Sequence, residues 1–154
     1  KDHKKDAWAL GKSIKHRFDY LFEDRGCLSD DEVATITDQL QSYFPKHIND
    51  DFIAVLAEVE GKVVSTAFLV ITEKPANLSF ITGKTGIILN VFTYKDFRRK
   101  GYASKVLQYI IEEARRFNLS YIELSATKNG LPLYKKLGFT ERNSEYTPMI
   151  LHLD

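Results

Sequence analysis

Hydrophobic positions follow a helical period in the early part of the chain. Between residues 6 and 23 the apolar side chains lie three or four positions apart, which predicts a helix with one buried stripe. Ser29 is followed three residues later by Glu32, a capping-box pattern that begins a second helix. Pro45 is expected to end that helix, because the residue before a proline avoids the helical conformation.

The pattern then changes to β-rich runs. Residues 52–59 and 63–71 flank the turn sequence Glu60-Gly61-Lys62, so they predict an antiparallel hairpin. Residues 73–85 contain proline, asparagine and glycine and are expected to form a loop. The segment from Ile87 to Thr93 is almost unbroken in its apolar character, which predicts a strand buried on both faces.

The second half of the chain predicts strand, long helix, strand. Apolar residues recur at helical spacing over residues 103–117, and Asn118 is a suitable C-cap. Residues 121–127 alternate as a strand does. Because a long helix connects this strand to Ile87–Thr93, the two strands are expected to be parallel.

Shorter elements complete the chain and define the fold class. A helix over residues 131–137 is expected to end at Gly138, and closing strands are expected at residues 139–142 and 147–153. The elements together predict one domain, residues 1–154, of α+β class. Its sheet is mixed, with helices on both faces.

Composition narrows the classes of partner. The chain has 154 residues, with 22 basic against 21 acidic side chains, so its charge balance predicts neither a nucleic-acid nor a membrane partner. No apolar run reaches the roughly 18 residues of a membrane span. The single cysteine, Cys27, favours a cytoplasmic location, and the four histidines lack metal-ligand spacing, so no metal is expected.

The segment Arg98-Arg99-Lys100-Gly101-Tyr102-Ala103 lies between the predicted strand and the long helix. A glycine turn at a helix start presents several unpaired backbone N–H groups, and these suit a phosphate or pyrophosphate. Three adjacent cationic side chains favour an anionic ligand further. The alternative is an ordinary solvated basic turn.

Two motifs give the chain a resemblance to the GNAT family of acetyl-CoA-dependent N-acetyltransferases. The cofactor motif stands as Arg98, Gly101 and Ala103, and the late motif as Asn129 with Leu133–Phe139. The resemblance implies a three-layer arrangement whose mostly antiparallel sheet has a central, splayed parallel pair of strands. The family's first strand is expected to be missing or truncated, because this chain starts almost directly in a helix.

The resemblance also implies an acetyl-CoA site. A bulge near residues 90–92 would splay the strands, the strand after it would pair with the pantetheine arm, and the glycine turn would hold the pyrophosphate. One backbone N–H of that strand would stabilise the oxyanion. The residues implied in binding are Val91, Phe92, Thr93, Arg98, Arg99, Lys100, Gly101, Tyr102, Ala103, Ser104 and Asn129.

The resemblance implies one proton donor and leaves three candidates for the base. Tyr134 would protonate the departing thiolate. The alternative is that Tyr134 has only a structural role, as an aromatic side chain packed on a short helix. For the base, Glu58 is the first candidate, Asn90 could order a water, and Glu123 is a further possibility. Asn129 could also serve as the N-cap of the short helix.

The function implied is transfer of an acetyl group from acetyl-CoA to a primary amine by direct attack in a ternary complex. The acceptor would be a small-molecule or peptide amine, and the family resemblance also allows a homodimer through the final strands. A non-catalytic CoA-binding sensor or regulatory domain is the alternative. A third reading, a phosphate- or nucleic-acid-binding domain, is opposed by the net charge of +1.

Overall fold

The computed structural model describes the backbone of residues 3–153 and the side chains of residues 13–153. Its elements, in chain order, are α1 (His3–Arg25), α2 (Asp30–His47), β1 (Phe52–Val59), β2 (Lys62–Glu73), β3 (Lys84–Thr93), a 3-10 turn (Lys95–Phe97), α3 (Tyr102–Arg116), β4 (Tyr121–Glu123) and α4 (Leu131–Lys136). The molecule forms two compact units, of which the first ends at Leu124 and the second begins at Ser125. The single-domain expectation stays a prediction.

The start of α2 confirms the capping box. Ser29 Oγ accepts from the Glu32 N–H at 3.1 Å, and Glu32 Oε1 accepts from the Ser29 N–H at 3.0 Å. The prediction that Pro45 ends α2 is wrong, since the helix continues to His47. A proline in the last turn removes one N–H, and the next residues keep the helical pattern: the Ile48 N–H donates to the Phe44 carbonyl at 2.9 Å.

In the described part of the chain, four strands form one mixed sheet in the order β1-β2-β3-β4. The first three strands pair antiparallel, and β4 pairs parallel to β3, which confirms the α+β class and the parallel pair. The hairpin turn joins β1 to β2 through Glu60 and Gly61, both at positive φ, because a two-residue turn of this hand matches the twist of the strands.

Helices cover both faces of the sheet. Leu40 and Phe44 of α2 pack with Phe52 and Phe68 of the strands in one core, and α1 contributes partly buried side chains to it. Strand alternation sends Leu69 to the opposite face. On that face α3 lies against the sheet with a buried stripe of four side chains, namely Val106, Leu107, Ile110 and Ala114.

Two predictions about later strands are corrected. The strand expected over residues 121–127 ends at Glu123, and the closing strands expected at residues 139–142 and 147–153 are absent. An extended segment becomes a strand only when its backbone pairs with a neighbour. An alternating pattern of side chains in the sequence does not show whether such a neighbouring strand is present. Among the described residues, no helix is long and apolar enough to cross a membrane.

Candidate active site

A β-bulge interrupts β3 at Asn90. Thr66 of β2 lies opposite Phe92, but Phe68 lies opposite Leu89, so β3 carries one extra residue between these positions. Asn90 adopts a left-handed φ of 57°, a conformation that asparagine tolerates better than most residues. The bulge that the resemblance implied near residues 90–92 is therefore confirmed.

Asn90 is buried at 2% exposure, and its side chain has three protein partners. Asn90 Nδ2 donates to the His16 carbonyl at 3.4 Å and to Thr66 Oγ1 at 3.2 Å. Asn90 Oδ1 accepts from the Arg17 guanidinium at 3.3 Å. The amide thus contacts both α1 and β2. Its suggested role in ordering a water stays a prediction.

The parallel pairing of β3 with β4 is short. It joins Thr85–Ile87 to Tyr121–Glu123 and ends there, while β3 continues to Thr93. The bulge and residues 91–93 therefore lie beyond the end of the parallel ladder. A strand edge of this kind can pair with an extended ligand arm.

The turn from β3 into α3 has the backbone of an anion-binding loop. Arg99 and Gly101 are left-handed, with φ of 61° and 86°, and Gly101 is the N-cap of α3 without a side-chain cap bond. A Cβ added at Gly101 would meet no atom within 4 Å. The first N–H groups of α3 include those of Ala103 and Ser104. There is open space beside Gly101 at this start of the helix, where an anion can approach these N–H groups.

Two cationic side chains of this turn, Arg98 and Lys100, make different contacts. Arg98 Nε donates to the Thr93 carbonyl at 2.8 Å, its guanidinium pairs with Glu23 of α1, and it lies over the Phe92 ring. Lys100 lies with its ammonium 5.5 Å from the centre of the Phe97 ring. The Arg98 side chain thus links the end of β3 to α1.

A second polar group joins α1 to the end of β3. The Tyr94 hydroxyl donates to the Asp19 carboxylate, so its oxygen accepts from Nδ1 of the buried His16 at 2.7 Å. Burial, followed by the bond to Asp19, raises the pKa of Tyr94 above its ordinary value of 10.0. The sequence did not identify these contacts, because the partners are 75 and 78 positions apart and no periodic pattern marks them.

The candidate bases lie on strands of the first unit. Glu58 is exposed near the end of β1, at a register shift between Ala57 and Glu58. Glu123 is half-buried on β4, where it pairs in register with Ile87. Both residues take part in further interactions. Their roles stay predictions.

The second unit contains Asn129 and Tyr134. Tyr134 is 8% exposed and packs edge-on against Phe139, with 5.9 Å between ring centres. A Cβ at Gly130 would lie 2.9 Å from the Tyr134 ring, so the close approach of ring and backbone needs glycine there. The N-cap of α4 is Gly130, so the alternative that made Asn129 the N-cap is wrong, and Asn129 is exposed in the preceding turn.

Comparison with known proteins gives one family and many similar structures. A sequence profile described as the acetyltransferase (GNAT) family matches residues 16–139. A predicted acetyltransferase from Clostridium acetobutylicum, solved with acetyl-CoA, is 28% identical, with a TM-score of 0.74 over 97% of this chain and 92% of that one. A GCN5-related N-acetyltransferase from Ralstonia eutropha is 21% identical, with a TM-score of 0.73 over 91% of this chain and 92% of that one.

A third similar structure is a glucosamine-6-phosphate N-acetyltransferase from Arabidopsis thaliana. It is 21% identical and has a TM-score of 0.61, with 88% of this chain and 92% of that chain covered. At this identity, and at that of the Ralstonia protein, the likeness concerns the fold.

Proposed function

The chain belongs to the acetyltransferase (GNAT) family, and on that premise we propose that it transfers an acetyl group from acetyl-CoA to a primary amine by direct attack in a ternary complex. One observation carries the proposal: the bulged end of β3 lies beyond the parallel ladder and leads directly into the uncapped start of α3. A strand edge and a helix start in this order suit a ligand with an extended arm and a pyrophosphate.

The residues of the first unit divide the binding task. The backbone of Val91, Phe92 and Thr93 would pair with the pantetheine arm, as an added strand does. The N–H groups of the turn would hold the pyrophosphate, and the left-handed Gly101 leaves the space that a phosphate needs. The structure of the Clostridium protein with acetyl-CoA supports this choice of substrate.

The chemical step needs an acid, an oxyanion donor and a proton acceptor. Tyr134 would protonate the departing thiolate, because a neutral phenol can donate to sulfur at pH 7. A backbone N–H after the bulge would stabilise the tetrahedral oxyanion. Glu58 remains the first candidate to accept the amine proton, directly or through water. Asn129 would contact the cofactor.

A thiol-release assay tests the proposal. The protein is mixed with acetyl-CoA and a panel of small amines and peptide N-termini, and free CoA is measured with a thiol reagent. Binding of acetyl-CoA is measured separately by calorimetry. We expect turnover with at least one amine class, and a lower kcat with unchanged acetyl-CoA affinity for Tyr134→Phe. Binding without turnover of any amine would favour the non-catalytic CoA-binding alternative.

A further inference from the structure

We propose that Arg17, Thr66 and Asn90 form a polar bracket that fixes the bulge of β3 and aims the Val91 N–H at the acetyl carbonyl. This inference rests on the proposed function, since it names the residues that position the oxyanion donor. None of the three bracket residues needs to touch the substrate. They are positioning residues that act through the backbone of β3.

A single hydroxyl group holds both the backbone and the side chain of Asn90. Thr66 Oγ1 donates to the Asn90 carbonyl at 2.9 Å and accepts from Asn90 Nδ2 at 3.2 Å. Both residues are buried, so water cannot readily replace either bond. The hydroxyl therefore fixes the direction of the Asn90 carbonyl and the rotamer of its amide together.

The direction of the Asn90 carbonyl determines the direction of the Val91 N–H. The peptide bond between the two residues is planar and trans, so its C=O and N–H point in opposite directions. Because the carbonyl points to Thr66 on β2, the Val91 N–H points away from that hydroxyl. Beyond Ile87 the β4 ladder no longer continues, so the open part of the β3 edge also faces away from β2.

Helix α1 holds the other end of the amide. Arg17 donates to Asn90 Oδ1 at 3.3 Å, and the His16 carbonyl accepts from Asn90 Nδ2 at 3.4 Å. The amide can satisfy these partners and Thr66 in only one orientation, because its oxygen and nitrogen cannot be exchanged. The left-handed conformation of Asn90, strained for most side chains, is thereby held from two elements.

A matched pair of variants at Thr66 tests the bracket. Thr66→Val keeps the shape and removes the hydroxyl, whereas Thr66→Ser keeps the hydroxyl. We expect Thr66→Val to lower kcat by at least about tenfold, since loss of a complete oxyanion donor costs about 10²–10³-fold. Affinity for acetyl-CoA should be unchanged, and Thr66→Ser should retain most of the activity. Thr72→Val, an exposed position on the same strand, is the control.

An infrared measurement gives a readout that a purely structural role would not move. Acetyl-CoA labelled with ¹³C at the acetyl carbonyl is bound to each variant without acceptor, and the carbonyl band is recorded by difference spectroscopy. A correctly aimed N–H shifts the band to lower wavenumber in the wild type and in Thr66→Ser. We expect a smaller shift in Thr66→Val.

The outcomes separate this inference from the proposed function. Wild-type protein that does not bind acetyl-CoA would overturn both. Wild-type turnover with an unchanged kcat and carbonyl band in Thr66→Val would overturn the bracket alone. Should Thr66→Val fail to fold, Asn90→Asp decides, because it keeps the left-handed preference and size while it loses the Nδ2 donor. Unchanged kcat and band in Asn90→Asp would then contradict the proposal.

Discussion

Tyr94 follows the last residue of β3 and links the end of that strand to α1. Its hydroxyl bonds to Asp19 and to His16, and its ring packs edge-on against Phe92 with 4.8 Å between ring centres. Four positions along, Arg98 pairs with Glu23, a further side chain of α1. The acidic stretch at the end of α1 therefore contributes two carboxylates to contacts with the end of β3.

Removal of the Tyr94 hydroxyl is expected to destabilise the fold. Tyr94→Phe keeps the ring contact and deprives His16 Nδ1 and Asp19 of a shared partner, so the free energy of unfolding should fall by about 1–3 kcal/mol. Urea unfolding followed by circular dichroism measures the change. Tyr109→Phe, at a residue that is 58% exposed, should leave stability unchanged. Equal effects of the two variants would contradict the prediction.

The raised pKa of Tyr94 predicts how the stability of the fold changes at alkaline pH. The pKa of Tyr94 is raised in the folded protein, so above its ordinary value of 10.0 the unfolded chain loses this proton and the folded chain keeps it. The contribution of Tyr94 is therefore complete below pH 10 and is lost as the pH rises. Unfolding curves between about pH 8 and pH 11 should show a shallower decline for Tyr94→Phe. Parallel declines of stability in the wild type and in Tyr94→Phe would contradict this prediction.

Gly101 offers a direct test of the pyrophosphate position. In Gly101→Asp a carboxylate faces the site, and like charges about 4 Å apart repel by about 4 kcal/mol near a protein surface, so acetyl-CoA affinity should fall by at least about a hundredfold. Gly61→Asp is the matched control, because Gly61 also has a positive φ and open space around it. Calorimetry that shows the same affinity for both variants would rule out this position.

Whole elements were more predictable from the sequence than the contacts between them. The hairpin, α3 and the start of α2 carry local signals, namely turn residues, helical spacing and a capping box, and each formed as predicted. The bracket of Arg17, Thr66 and Asn90 carries no such signal. Its members come from three separate elements. The family resemblance points to Asn90 alone among them, and for a different role.

The capping box of α2 gives a prediction for one element. Ser29→Ala removes the acceptor for the Glu32 N–H, and the free energy of unfolding should fall by about 1 kcal/mol. The Ser29 N–H also holds the pKa of Glu32 below its ordinary value. The bond between this N–H and the Glu32 carboxylate therefore stabilises the fold at neutral pH, and that stabilisation is lost as Glu32 is protonated in acid. Ser42→Ala, exposed within α2, should change stability little.

Acid titration makes the capping test sharper. If Ser29→Ala loosens the bond to Glu32, stability should decline less steeply for the variant than for the wild type between about pH 6 and pH 3. Thermal unfolding over this range measures the two slopes. A Ser29→Ala protein as stable as Ser42→Ala at every pH would show that the box contributes nothing.

An exposed apolar segment at the end of the described chain bears on the association of the whole molecule. In the last eight described residues Met149 is 91% exposed, and four further large side chains are at least 80% exposed, namely Tyr146, Ile150, Leu151 and Leu153. Soluble monomers rarely leave contiguous apolar surface of this kind uncovered. An extended segment without a partner strand can pair with the edge of another sheet.

We therefore expect a homodimer in solution, with this segment covered by a second copy of the chain. Met149→Lys combined with Leu151→Lys, two positions that share one face of an extended segment, should shift the mass in light scattering from dimer to monomer. Leu78→Lys, a control at another exposed apolar residue, should leave the dimer intact. A wild type that is monomeric at all concentrations would contradict this prediction, because the apolar segment would then stay uncovered. A double variant that remains dimeric would also contradict it, because the segment would then not hold the two copies together.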